Sequence, residues 1–311
     1  MRLATIDLGS TTVRLLVADV AGGRWRVVDA DQRVTRLAEG LARSGRLSVA
    51  AADRTAAAVA EYVARARRAS VDRLAIVATS AVREAANGDD FVAALARATG
   101  ERVRVVSGAE EASLTLSGVL SGLDDRASSP AVTLVFDIGG GSTEYILATG
   151  GRAVAAVSLR LGVVDLAERY PFPAAVDWPR FRALQAEVAA RLAAELPGQI
   201  RATAVDRLVG TAGTATTLAA LDLGLATYDP QRVQGHVLSR AAVETLRARL
   251  GALTVGERAA LPCLEPGRAD LIVPGVAIVL ATLDATGADA LVVSDWGLRE
   301  GIMVALSAGW S

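Results

Sequence analysis

Three short apolar runs open the chain, over residues 3–7, 13–19 and 25–31, and Ala21-Gly22-Gly23 separates the last two. Apolar runs joined by brief glycine-bearing gaps read as hairpins, so the spacing predicts a sheet that begins antiparallel. The period then changes to the helical 3.6 over about residues 48–69. A strand over 74–78, a helix over 89–99, a strand over 103–106 and a helix over about 108–120 follow. Strands alternating with helices predict parallel additions to the same sheet. Residues 122–130, rich in Gly, Asp and Ser, read as a linker, and after them the pattern restarts. Strands are expected over 132–137, 145–148 and 153–159, then over 207–210 and 290–294. Helices are expected over about 179–195, 213–221, 240–250, 269–286 and 298–306. The repeat is one of whole domains, three strands and then alternating α and β, twice over. No short repeat indicates a solenoid.

Both halves carry the same loop between their first two strands. The first is Asp7-Leu8-Gly9-Ser10-Thr11-Thr12 and the second Asp137-Ile138-Gly139-Gly140-Gly141-Ser142-Thr143-Glu144. Glycine adopts turn conformations that other residues resist and lets backbone N–H groups crowd around an anion. An Asp at the strand end beside such a turn can hold a cation or orient water. Two such hairpins facing each other would clamp a phosphate chain, with Gly9, Ser10, Thr11, Gly139, Gly140, Gly141 and Ser142 as donors. A plain hairpin needs only two glycines, and a D-x-G-S turn is often structural. Glu144 lies seven residues after Asp137 across the turn. The two make a Mg²⁺-binding or water-orienting pair, unless Glu144 is only the polar residue of an alternating strand.

Four further strand ends bear polar or small residues. In Ser107-Gly108-Ala109-Glu110-Glu111 the S-x-x-E spacing assigns Glu110 to a capping box. Glu111 points about 100° away around the helix and is singled out as the candidate general base. The bland alternative is a first-turn acid complementing the helix dipole. Arg83, in Thr79-Ser80-Ala81-Val82-Arg83, could grip a phosphate with its planar fork, or form a surface ion pair. Gly210-Thr211-Ala212-Gly213-Thr214 opens a helix, where Thr211 and Gly213 could bind an anion or simply pack closely. Ser294-Asp295-Trp296-Gly297-Leu298-Arg299 leads into the last helix, with Arg299 as added positive charge and Trp296 as a core or interdomain residue.

Composition narrows the classes. At 311 residues there is room for two domains, and 52% apolar with 22% charged residues is globular. A net charge of −1 argues against a broad nucleic-acid-binding surface. One cysteine, Cys263, and one histidine, His236, exclude an internal disulfide and a Cys or His metal cluster. A metal would therefore have oxygen ligands, which suits Mg²⁺. The first residues run directly into a strand pattern that contains Asp7, unlike a signal peptide. The longest apolar run, 271–283, is too short to span a bilayer and contains Pro274. A soluble cytoplasmic protein without a membrane partner is the default expectation.

Taken together, these stretches resemble the Ppx/GppA family of exopolyphosphatases and guanosine pentaphosphate phosphohydrolases. The resemblance rests on residues 6–10, 35–37, 79–85, 107–112, 136–144, 161–162, 210–214, 268–270 and 294–301, in family order across nearly the whole chain. It implies an α/β fold of two similar actin-like (ribonuclease H-like) domains of the actin/sugar-kinase/Hsp70 superfamily, with the active site in an interdomain cleft. The domains would cover 1–124, completed by the helix over 298–311, and 125–297. The length matches the short two-domain bacterial form. The resemblance further implies Glu111 as catalytic base, Arg83 as a phosphate contact, and Asp7, Asp137 and Glu144 at the Mg²⁺. The substrate would be inorganic polyphosphate, with pppGpp (guanosine pentaphosphate) to ppGpp as a second reaction, and homodimers are common in the family. Thr11 stands where the family usually has Asn, Gln234 where a His is common, and Pro274 interrupts the last long helical pattern. Two other classes share the fold: a non-catalytic protein that binds (p)ppGpp or polyphosphate, and an ATP-dependent small-molecule kinase.

Overall fold

The computed structural model describes residues 1–22, 24–123 and 132–310. The chain begins with β1 (Arg2–Leu8), β2 (Thr12–Ala21), β3 (Arg24–Val34), α1 (Leu41–Ser44) and α2 (Val49–Arg68). It continues with β4 (Arg73–Ala78), α3 (Ser80–Glu84), α4 (Gly88–Thr99), β5 (Val103–Val105) and α5 (Gly108–Gly122). Then come β6 (Val132–Ile138), β7 (Thr143–Thr149), β8 (Arg152–Leu159), α6 (Val163–Arg169), α7 (Trp178–Glu195) and α8 (Gly198–Ala202). The remainder is β9 (Arg207–Thr211), α9 (Ala212–Asp222), α10 (Pro230–Val233), β10 (Val237–Ser239) and α11 (Arg240–Gly251). Last are α12 (Val255–Ala259), α13 (Ile272–Thr286), β11 (Ala290–Val293) and α14 (Leu298–Ser307).

Two compact units result: Met1–Gly118 with Gly297–Ser311, and Val119–Trp296. The expected linker over 122–130 and the boundary at 124/125 lie outside the described residues, apart from Gly122 and Leu123 at the end of α5. The first unit's sheet runs β3-β2-β1-β4-β5, the second's β10-β11-β9-β6-β7-β8. In each, the first three strands are antiparallel neighbours, and the next two add parallel to the first. Thus β6 takes the place of β1, β7 of β2, β9 of β4 and β11 of β5. The antiparallel edge strand β10 has no counterpart, and three residues are too few to show a period in the sequence.

The first strand of each unit is buried on both faces. Leu3, Ala4, Ile6 and Leu8 are at most 1% exposed, and Leu134, Val135 and Phe136 are wholly buried. Strands covered on both sides read as continuous apolar runs, as these do. Leu3, Leu16 and Ala18 meet Met303 and Leu306 of α14, so the last helix completes the first unit's core. There α14 crosses α5 at glycines: a Cβ on Gly301 would lie 1.8 Å from the Leu114 carbonyl oxygen. In the second unit every residue of α13 from 272 to 283 is buried. That accounts for the long apolar run, and no described helix is long and apolar enough to cross a membrane.

The helix expected from residue 269 starts at Ile272, after a 3₁₀ turn over Pro266–Arg268. Pro274 therefore sits in the first turn, where its missing N–H costs no hydrogen bond, and it does not interrupt the helix. Arg258 is fully buried, and its guanidinium donates to four carbonyls. Leu250, Phe172 and Leu253 accept at 2.8–2.9 Å and Ala174 at 3.3 Å, which ties α11, α12 and the segment after α6 together.

Candidate active site

The two glycine loops are built alike. The Gly9 N–H donates to the Thr12 carbonyl at 3.1 Å and the Gly139 N–H to the Ser142 carbonyl at 2.9 Å. A Cβ would come within 3.1 Å of that oxygen at Gly9 and 3.0 Å at Gly139, so a side chain at either would push the carbonyl back by a few tenths of an ångström. The loop carbonyls are drawn back into their units. Ser10 and Thr11 accept from the N–H groups of Ala38, Thr35 and Arg36, all at 2.9 Å. Gly139 and Gly140 accept from Val163 at 3.1 Å and Val164 at 2.9 Å. In a planar trans peptide the next N–H then points the opposite way. The amides of Thr11, and of Gly140 and Gly141, therefore point away from these carbonyl bonds, an arrangement suited to an anion. Gly162 allows this support in the second unit, since a Cβ there would lie 2.1 Å from the Gly140 carbonyl oxygen.

Pairing across the strands separates the two loops chemically. Asp7 lies directly across from Arg14, whereas Asp137 lies directly across from Glu144. Directly opposed residues share a face of the sheet. The first loop thus sets an acid beside a cation, and the second sets two acids together. Glu144 is only 2% exposed, and the Ser158 hydroxyl donates to its Oε1 at 2.6 Å. A buried carboxylate beside another is costly unless a cation joins them. The oxygen donors fit Mg²⁺, which typically takes one or two carboxylates and completes its shell with substrate phosphate and water. Among the described residues no group of three or more His, Cys, Asp or Glu could hold a metal.

Glu111 and Arg83 meet. The Arg83 Nη1 lies 3.0 Å from Glu111 Oε2 and donates to the Val106 carbonyl at 2.8 Å. Arg83 comes from α3, a five-residue helix after β4, and Glu111 from the first turns of α5 after β5. Glu110 is engaged as expected: Ser107 Oγ accepts from its N–H at 3.2 Å and its Oε2 accepts from the Ser107 N–H at 3.5 Å. Glu111 therefore does not stand alone: Arg83 holds it in a partly buried ion pair. The Glu111 side chain is 8% exposed and that of Arg83 25%. Nearby, the buried Ser10 and Ser80 hydroxyls share a hydrogen bond of 2.9 Å, linking the first loop to the head of α3.

At the head of α9, Thr211 lies across from Asp137. Its hydroxyl donates to the Trp296 carbonyl at 3.0 Å, so it anchors backbone. Ala212 holds a left-handed φ of 65°, a conformation that costs free energy without glycine. A Cβ on Gly213 would lie 1.7 Å from Arg268 Nη1, so Gly213 gives the guanidinium its seat against the helix N-terminus. Arg268 also pairs with Glu265 at 3.0 Å. A guanidinium at a helix N-terminus is suited to a phosphate. Sequence reasoning had assigned no role to Arg268, which is distant in sequence from Gly213, or to Arg14, which needed the strand register. Arg299 pairs instead with Glu300 of its own helix at 2.6 Å.

The model of the Ppx/GppA phosphatase family matches residues 16–308. Exopolyphosphatase 2 of Mycobacterium tuberculosis is 35% identical over 324 aligned positions, covering 98% of each chain. The crystal structure of the Aquifex aeolicus PPX-GPPA enzyme is 32% identical and superposes with a TM-score of 0.81, over 98% of this chain and 99% of that one. An exopolyphosphatase from Cytophaga hutchinsonii, 24% identical, shows the same fold at a TM-score of 0.90, covering 100% of this chain and 99% of that one. With its two α/β units of actin-like fold and its paired loops, the chain belongs to the Ppx/GppA phosphatase family.

Proposed function

We propose that the protein is an exopolyphosphatase that releases the terminal phosphate of inorganic polyphosphate by Mg²⁺-assisted in-line attack of water, with Glu111 as general base. As a family member it is a hydrolase of phosphoric anhydride bonds, and pppGpp, which ends in the same bond type, is its second substrate. The observation that carries the reading is the second loop, where outward amides of Gly140 and Gly141 stand beside the Asp137–Glu144 pair. Amides bind phosphate oxygens, and the acid pair would hold the cation that travels with them.

In this reading the amides of both loops, Arg14 and Arg268 bind phosphate oxygens, while Asp137 and Glu144 hold Mg²⁺. When bound, the metal supplies charge neutralisation on the phosphate oxygens. Glu111 accepts a proton from the attacking water, whose oxygen bonds to the terminal phosphorus as the P–O anhydride bond breaks. The bridging oxygen leaves with the shortened chain. Arg83 fixes the Glu111 carboxylate by its contact to Oε2 and so orients the base. Asp7, whose neighbour across the sheet is Arg14, serves the first loop.

The test is a panel that measures orthophosphate release from polyphosphate and pppGpp with and without Mg²⁺. Release from polyphosphate that chelation abolishes and Mg²⁺ restores is the expected result. ADP formation from ATP with an added sugar or acid would identify a kinase instead. Tight (p)ppGpp binding with no release from either substrate would identify a regulator.

A further inference from the structure

Gln234 plays no part in the chemistry above, yet its side chain is placed with unusual definition. It follows α10, and the two residues after it are pinned beside β11: the Gly235 N–H donates to the Val293 carbonyl and the Val293 N–H to the His236 carbonyl, both at 2.8 Å. From there its Oε1 accepts from two consecutive amides, Asp295 at 2.6 Å and Trp296 at 3.4 Å. No described protein group accepts from its buried Nε2, so the side chain's hold comes from Oε1 alone.

The segment it grips leaves the sheet at the C-terminal end of β11, next to the C-terminal end of β9. The Ser294 N–H still donates to the Gly210 carbonyl at 2.9 Å, and then the chain turns. With the amides of Asp295 and Trp296 drawn toward Gln234, the Trp296 carbonyl is presented to two hydroxyls. Ser294 Oγ donates to it at 2.7 Å and Thr211 Oγ1 at 3.0 Å. Thr211 is the last residue of β9, across from Asp137, and the next residue is the strained Ala212 that starts α9. Strained backbone persists only where its surroundings over-determine it. The bond from Thr211 to Trp296 is one such constraint, and Gln234 sets the carbonyl that makes it.

We propose that Gln234 is a positioning residue: through the Asp295 and Trp296 amides it sets the Trp296 carbonyl, which fixes Thr211 and the head of α9 where Gly213 and Arg268 meet the substrate's phosphates. This rests on the reading of the head of α9 as a phosphate-binding element. Gln234 itself touches no substrate. The consequence is a binding effect, since the groups it aligns hold phosphate in the ground state as well as in the transition state.

Three variants test it. Gln234→Met keeps length and removes the acceptor, Gln234→Glu keeps an acceptor for both amides, and Thr211→Val removes the bond to Trp296. Gln234→Met is expected to raise KM for polyphosphate about three- to tenfold, the worth of one neutral hydrogen bond, with kcat within about twofold. Gln234→Glu is expected to return KM to within about threefold of the parent, since a carboxylate also accepts from both amides. Combined with Thr211→Val, the Met substitution should add less than its separate effect, because both break one chain of contacts. Hydrogen exchange reads the same clasp without turnover: the Asp295 and Trp296 amides should exchange faster in Gln234→Met and at the parent rate in Gln234→Glu. Unchanged KM and exchange in Gln234→Met, a KM that Glu fails to restore, or fully additive effects with Thr211→Val would each overturn the proposal. Absence of phosphate release by the parent protein, with exchange responding as described, would overturn the functional reading and leave the clasp standing.

Discussion

At the scale of single residues, the chemistry turns on which charge stands opposite which. Asp7 and Asp137 occupy the same place in their loops, but Arg14 faces one and Glu144 the other. The cation demand is therefore concentrated at the second loop. Asp137→Asn and Glu144→Gln should each raise the Mg²⁺ concentration needed for half-maximal activity about tenfold or more, as loss of a charged ligand oxygen does. Isothermal titration with Mg²⁺ in the presence of phosphate checks this, and an unchanged requirement would place the metal elsewhere. Arg83 acts through Glu111, so Arg83→Lys should lower kcat more than it raises KM. A lysine ammonium on a flexible stem holds the carboxylate and the Val106 carbonyl, both bound by Arg83 Nη1, less rigidly than the planar guanidinium. An equal loss in binding alone would instead make Arg83 a phosphate ligand.

At the scale of elements, glycines decide where backbone comes close. Gly162 sits against the Gly140 carbonyl, and Gly301 against the Leu114 carbonyl, where α14 crosses α5. Gly301→Ala should destabilise the first unit by about 1–3 kcal/mol through overpacking, read as a lower Tm. Gly162→Ala should spare Tm more than activity, because the adjustment falls on the second phosphate loop. Most of this scaffold is legible in the sequence, for a physical reason. β1 and β6 are buried on both faces and read as unbroken apolar runs, and α2 is long enough to show its period. The loops announce themselves through Gly139-Gly140-Gly141, and Ser107 with Glu110 through the spacing of a capping box. What could not be read depends on distance in sequence or on shortness. The four- to seven-residue helices α1, α3, α6, α8, α10 and α12 are shorter than two turns and show no period. Arg14 needed the register of β1 on β2, Arg268 its seat on Gly213, and the tie between Arg83 and Glu111 spans 28 residues.

At the scale of the molecule, one strand order occurs twice, and the chain passes between units after Gly118 and again after Trp296. Each unit adds a loop with outward amides, and only one adds an acid pair. Stability should respond to alkali through buried phenols. Burial pushes Tyr62 up to about 12, and burial likewise raises Tyr145 despite its bond to Thr282. A phenol whose folded pKa is raised contributes stability that is complete below the ordinary value near 10 and is lost as pH rises from there toward the folded value. Unfolding by denaturant should therefore become easier above about pH 10, and Tyr62→Phe should blunt that slope. The same slope in the variant would remove Tyr62 from the account. The central claim is that Glu111 takes the proton from water on its way to a terminal phosphate. Its most direct measurement is the rate of orthophosphate release from polyphosphate with Mg²⁺, in the parent protein and in Glu111→Gln. The account predicts that Gln, nearly the same shape but unable to accept the proton, lowers kcat by about 10²–10⁴-fold with polyphosphate binding retained. Parent-like turnover in Glu111→Gln would contradict it.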